Sequence, residues 1–123
     1  MCEIKIKSLL KNPEENKTIS HELTGIKKRN KLIYKEEDTD VTIETSDQLK
    51  IIRQTKESIL NLNLEVDKIT EGTYFINEIG TLKILIKTNI LEISDNTIYT
   101  EYELTINNEE LGLFVFKLEV EEI

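Results

Sequence analysis

Apolar and polar residues alternate along most of the chain between Leu49 and Val120. The clearest runs are Leu82-Ile84-Ile86, Ile98-Thr100-Tyr102-Leu104-Ile106 and Phe114-Phe116-Leu118-Val120. Polar residues such as Lys83, Lys87, Glu101, Glu103, Glu119 and Glu121 largely fill the other face. A period of two marks strands with one buried and one wet face. The pattern predicts strands over 3–10, 17–24, 31–37, 40–46, 48–55, 58–66, 72–77, 80–94, 97–107 and 112–122, with Gly25 as the break after the second. Pro13 interrupts the N-terminal part, because proline cannot donate to a sheet ladder. Breaks are expected at Ser46-Asp47, Asp67-Lys68, Glu71-Gly72, Ile79-Gly80, Ser94-Asp95-Asn96 and Asn107-Asn108-Glu109-Glu110, where glycine or short polar side chains favour turns.

Connections this short pair neighbouring strands antiparallel, as a meander. No stretch of ten residues holds a helical stripe. The best helical candidate, Gln54-Lys56-Glu57-Leu60, runs into Leu60-Leu62-Leu64-Val66, whose spacing of two favours strand and leaves room only for a helical turn near residues 54–58. A long meander exposes edges unless it closes. The expected fold is therefore all-β, an antiparallel meander closed into a barrel of about eight to ten strands, in one domain over residues 1–123. An interior of that size holds packed side chains or one small ligand.

Charge removes several function classes. A formal net charge of −8 argues against nucleic acid as the main partner, since phosphate binding needs a basic patch. The one basic cluster, Lys27-Lys28-Arg29-Asn30-Lys31, lies between two expected strands and reads as a solvated turn. No apolar run approaches the roughly 20 residues of a membrane span, and the lysine-dotted N-terminus does not read as a signal peptide. A single cysteine, Cys2, forms no internal disulfide. The expectation is a cytoplasmic protein with no membrane or nucleic-acid partner.

Several segments follow in a familiar order: Thr24-Gly25 leading into Leu32-Ile33-Tyr34-Lys35-Glu36-Glu37, then Ile79-Gly80-Thr81-Leu82 through Ile86-Lys87-Thr88-Asn89, then Tyr99-Thr100-Glu101-Tyr102-Glu103-Leu104-Thr105-Ile106-Asn107. The chain resembles the YwiB-like family of small bacterial proteins of unknown function over nearly its whole length, most strongly at the Gly-Thr-Leu and Tyr-Glu-Leu strands. The resemblance implies a calycin-type (lipocalin-like) β-barrel. It implies no catalytic residues, because the family has no established activity. Secreted lipocalins carry a Gly-x-Trp near the first strand, and this chain has no tryptophan, so their ligand habits do not transfer.

In a barrel, function is sought among polar residues in phase with apolar ones. His21 lies between Ile19 and Leu23, Tyr34 and Glu36 follow Leu32, and Arg53 follows Leu49 and Ile51. Tyr102 is in phase with Ile98 and Leu104, and Tyr74 with Ile76. One reading gathers Arg53, Glu36, His21 and the tyrosines Tyr34, Tyr74 and Tyr102 into an interior ligand site, with a carboxylate-bearing small molecule on part of the guanidinium. The other has Arg53 and Glu36 satisfy each other, with no ligand. One histidine without paired cysteines builds no usual zinc site, and no spaced calcium loop appears. No metal, cofactor or catalytic residue is therefore expected, and the chain does not read as an enzyme. Ile33, Ile52, Ile59, Leu85, Ile90, Leu113 and Val115 fall on the outer face. Leu111, Leu113 and Val115 mark the expected contact if the protein works instead through its outer surface as a homodimer.

Overall fold

The alternation closes on itself. In the computed structural model, which describes residues 2–123, ten strands follow one another: β1 (Cys2–Asn12), β2 (Lys17–Lys28), β3 (Lys31–Glu36), β4 (Thr39–Thr45), β5 (Leu49–Gln54), β6 (Ser58–Leu64), β7 (Ile69–Ile76), β8 (Gly80–Ile93), β9 (Thr97–Ile106) and β10 (Glu109–Glu122). Each pairs antiparallel with its neighbour, and β1 pairs with β10 from Ile4–Glu122 to Lys11–Val115, completing a closed barrel. No helix occurs among the described residues, and residues 55–57 form only a tight connection. The inward residues make one core, in which Ile4, Ile43, Leu49, Leu64, Ile84, Ile86 and Leu118 have no solvent exposure. Each such side chain contributes roughly 1.5–3 kcal/mol by leaving water.

Two expected breaks are continuous strand. β2 runs through Gly25 to Lys28, and β7 begins at Ile69 and passes through Gly72. Glycine serves close approach at both. A Cβ on Gly25 would stand 2.7 Å from the Ile33 carbonyl oxygen and 2.9 Å from Tyr34 Cβ, and one on Gly72 would collide with the Asn61 carbonyl oxygen. The last strand starts earlier than expected because Asn107 and Asn108 alone make the turn, both with positive φ, as a two-residue hairpin requires. Extra residues bulge at Asn89 in β8 and Leu111 in β10. The first shifts the phase of β8, so that Ile90 is exposed while Thr88 and Leu91 stay on the side of Tyr102 and Thr100.

Strand length varies around the ring, and this shapes the site. β1, β2, β8, β9 and β10 have 10 to 14 residues, whereas β3 to β6 have six or seven. β2 pairs with β1 from Lys17 to Lys27 but with β3 only over Gly25–Lys28. Residues 17–24 of β2 are thus laddered on one side, above a seam where β3 falls short.

Candidate functional site

The inward polar residues collect beside this seam, at the end that carries the β1–β2, β3–β4 and β5–β6 turns. Glu36 is the last residue of β3 and Arg53 the second-last of β5. β4 lies between them, with Val41 opposite both Tyr34 and Arg53. The guanidinium reaches across the small valine, and Arg53 Nη2 donates to Glu36 Oε1 at 2.5 Å. The second Glu36 oxygen accepts a long hydrogen bond of 3.5 Å from Ser8 Oγ on β1. His21 Nε2, on the β2 residue directly opposite Ser8, lies 3.9 Å from that oxygen, the distance of an ion pair when the imidazole is protonated. Glu36 is buried, whereas the Arg53 side chain is 33% exposed. The pair therefore stands with its carboxylate inside and its guanidinium toward the mouth.

Two tyrosines complete the polar side. Tyr34 is buried with its hydroxyl unpartnered among the described residues. Burial, and then the neighbouring Glu36 charge, drive its pKa far up, with Arg53 opposing. Tyr102, on β9 and stacked on Phe114 with ring centroids 5.8 Å apart, is pushed up to about 12 by burial, again against Arg53. Both hydroxyls stay protonated and available as donors.

Below these groups lies a cavity of about 190 Å³, lined by Ser8, His21, Glu36, Arg53 and Tyr102 and walled by apolar side chains from Leu10 to Phe116. Ile19, 54% exposed, stands at its opening. Of the six residues predicted from sequence, Arg53, Glu36, His21 and Tyr102 line the cavity, whereas Tyr34 is buried near Glu36 and Arg53 and is not part of the lining. Tyr74 does not join them: it sits on β7, opposite Leu60, and packs half-buried against the core. Larger hollows lie on the outside, one between the surface lysines and glutamates of β1, β2 and β10 and a larger one among Lys35, Asp38, Asp40, Lys56 and Glu57 near the β3–β4 and β5–β6 turns.

The model of a family described as a domain of unknown function (DUF1934) matches residues 4–118. The chain belongs to the DUF1934 family. Among solved structures it is similar to the ywiB protein from Bacillus subtilis, with a TM-score of 0.66 at 15% identity, over 98% of this chain and 90% of that one. Identity this low shows a shared barrel and nothing about ligands. No curated protein matches the chain.

The DUF1934 barrel also uses a residue that sequence reasoning passed over. Ser8 is inward, buried and on Glu36, and its signal was present: it is in phase with Ile4, Ile6 and Leu10, a small hydroxyl on an otherwise apolar face. No group of three or more His, Cys, Asp or Glu side chains is placed to hold a metal ion among the described residues. Among the described residues no helix is long and apolar enough to cross a membrane. What the arrangement offers chemically is hydrogen-bond donation at the edge of a greasy, partly enclosed space.

Proposed function

We propose that this DUF1934 barrel binds a small molecule in its interior, at the end bounded by β1, β2, β3 and β5. The observation that carries the reading is Arg53, which lines the cavity and directs a single hydrogen bond to Glu36, leaving further N–H donors in a space walled by apolar side chains. Apolar walls with a few convergent polar groups are the usual make-up of a ligand site. The closed antiparallel meander is also the architecture of calycin barrels, a support by analogy. A cytoplasmic setting belongs to the same proposal, in keeping with one free, exposed Cys2 and an acidic composition. The Ser8 hydroxyl donates to Glu36, whose other oxygen Arg53 already holds, and the reading is binding without catalysis.

The homodimer reading finds less support. Leu113 and Val115 are half-buried on the outer face, but Glu103 and Glu101 stand directly opposite them in the ladder. A seam there would have to bury carboxylates.

Native mass spectrometry of protein purified without denaturation tests the proposal. A reproducible mass increment that Leu60→Trp, which fills the cavity, abolishes is the expected result. A bare mass, together with no response to any small apolar or amphipathic compound, ends it.

A further inference from the structure

We propose that the interior site selects a short-chain monocarboxylate, a single carboxylate head on an apolar tail of a few carbons. This rests on the reading of the cavity as a ligand site and narrows it to one chemical class.

The head follows from counting what the polar side has left to give. Glu36 is already engaged at both oxygens, Oε1 by Arg53 and Oε2 by Ser8. Arg53 carries five N–H donors and no acceptor, and its one hydrogen bond among the described residues is the bond to Glu36. Tyr102 adds a protonated hydroxyl on the cavity wall. The spare capacity is donors. A ligand must bring acceptors, and an amine would meet the guanidinium while finding its natural partner, Glu36, occupied. Among acceptor groups a carboxylate matches the planar guanidinium best, because it accepts two parallel charge-assisted bonds. His21 Nε2, 3.9 Å from Glu36 Oε2, is a further polar group on that side of the carboxylate.

The tail follows from the walls and the floor. Leu10, Ile51, Leu60, Leu62, Phe114 and Phe116 supply the apolar surface. The volume of about 190 Å³ is below the roughly 300–1,000 Å³ of sites for drug-sized molecules. Beneath it the barrel is filled by Ile4, Ile6, Ile43, Ile84, Ile86 and Leu118, all at most 1% exposed. A long acyl chain has nowhere to continue. The filled floor therefore separates this site from barrels hollow along their axis.

Titration calorimetry with hexanoate, hexan-1-ol, hexylamine and dodecanoate tests the class, with amide chemical shifts of Ile51, Leu62 and Phe116 locating the binding. Hexanoate should bind in the cavity at least about tenfold more tightly than hexanol, hexylamine or dodecanoate, as the loss of a charged hydrogen bond or of fit requires. Arg53→Lys should weaken hexanoate about tenfold and leave hexanol unchanged. Because Arg53 also holds Glu36, Glu36→Gln/Arg53→Gln provides a second variant free of the orphaned charge, and it too should lose hexanoate selectivity. Equal binding of hexanoate and hexanol, insensitive to both variants, overturns the carboxylate class while interior binding stands. Tighter binding of hexylamine or of dodecanoate overturns it likewise. Failure of all four compounds, with a bare native mass, removes the inference and the binding reading together.

Discussion

At the scale of single residues, the Glu36–Arg53 pair dominates what can be measured. Glu36 is buried, so removing its cation leaves an uncompensated charge in the barrel. A fully buried pair broken this way costs about 3–5 kcal/mol. With Arg53 one-third exposed, solvent screening lowers the expectation, and Arg53→Met should cost about 2–3 kcal/mol. Adding Glu36→Leu should restore most of that loss, since no charge is then stranded. Urea unfolding of both single variants and the double variant reads the coupling; additive losses would show that the pair contributes nothing. Tyr102 makes a separate prediction. Its folded pKa is raised to about 12 against an ordinary value of 10.0, so the unfolded chain releases this proton first as pH rises. The contribution is fully present below pH 10 and is lost between about 10 and 12, by at most roughly 3 kcal/mol. Melting temperature followed across that window should fall, and Tyr102→Phe should flatten part of the fall.

At the scale of elements, the seam between β2 and β3 decides both the opening of the site and the local stability. Gly25 is where β2 leaves β1's company alone and begins to pair with β3. An added methyl would press on the Ile33 backbone, which cannot give as a side-chain tip does. Gly25→Ala is expected to destabilise by about 1–3 kcal/mol, the cost of overpacking, visible as a lower urea midpoint with unchanged slope. The open edge carries its own signature. Over residues 18–24, amides turned toward β1 are bonded and those turned toward the seam are not, so hydrogen exchange should alternate between slow and fast along β2. Uniformly slow exchange would mean that the edge is covered. Alternation along the sequence was enough to read a meander of eight to ten strands, their antiparallel order and which polar residues, Arg53, Glu36 and His21 among them, share a phase with apolar ones, because a period of two is local information. What stayed hidden is non-local. Gly25 and Gly72 looked like turns, since their role is set by the Ile33 and Asn61 carbonyls of neighbouring strands. Tyr74 looked equivalent to Tyr102, although phase says which face a side chain takes and not how far around the ring it stands. Ser8 was in view but small, and its importance comes from a carboxylate 28 positions away.

At the scale of the molecule, closure gives the barrel a ring symmetry that its linear sequence conceals. The chain ends meet: Ile4 pairs with Glu122, and the Ile123 amide donates to the Glu3 carbonyl at 3.3 Å. Nine ladders are hairpins and one, β1 with β10, joins residues more than a hundred positions apart. That ladder carries the greatest loop-closure entropy, and such non-local pairing slows folding. Yet a ring must contain one such ladder wherever it is cut. Joining the termini by a short Gly/Ser linker and reopening the chain between Asp47 and Gln48 breaks only local contacts in an exposed turn, the Ser46 amide to the Gln48 carbonyl and the Gln48 amide to the Ser46 hydroxyl. It turns the eight residue pairs of β1–β10 into a hairpin and makes the six of β4–β5 the non-local ladder. The permutant should therefore keep the barrel, with a melting temperature within several degrees and refolding no slower than the parent. Deleting β10 should instead abolish folding, because it removes Phe116 and Leu118 from the core and leaves β1 and β9 as two long bare edges. Circular dichroism and stopped-flow refolding distinguish the two outcomes. A permutant that fails to fold would show that β1–β10 pairing has a special place in assembly, and a β10 deletion that folds would show that closure is dispensable.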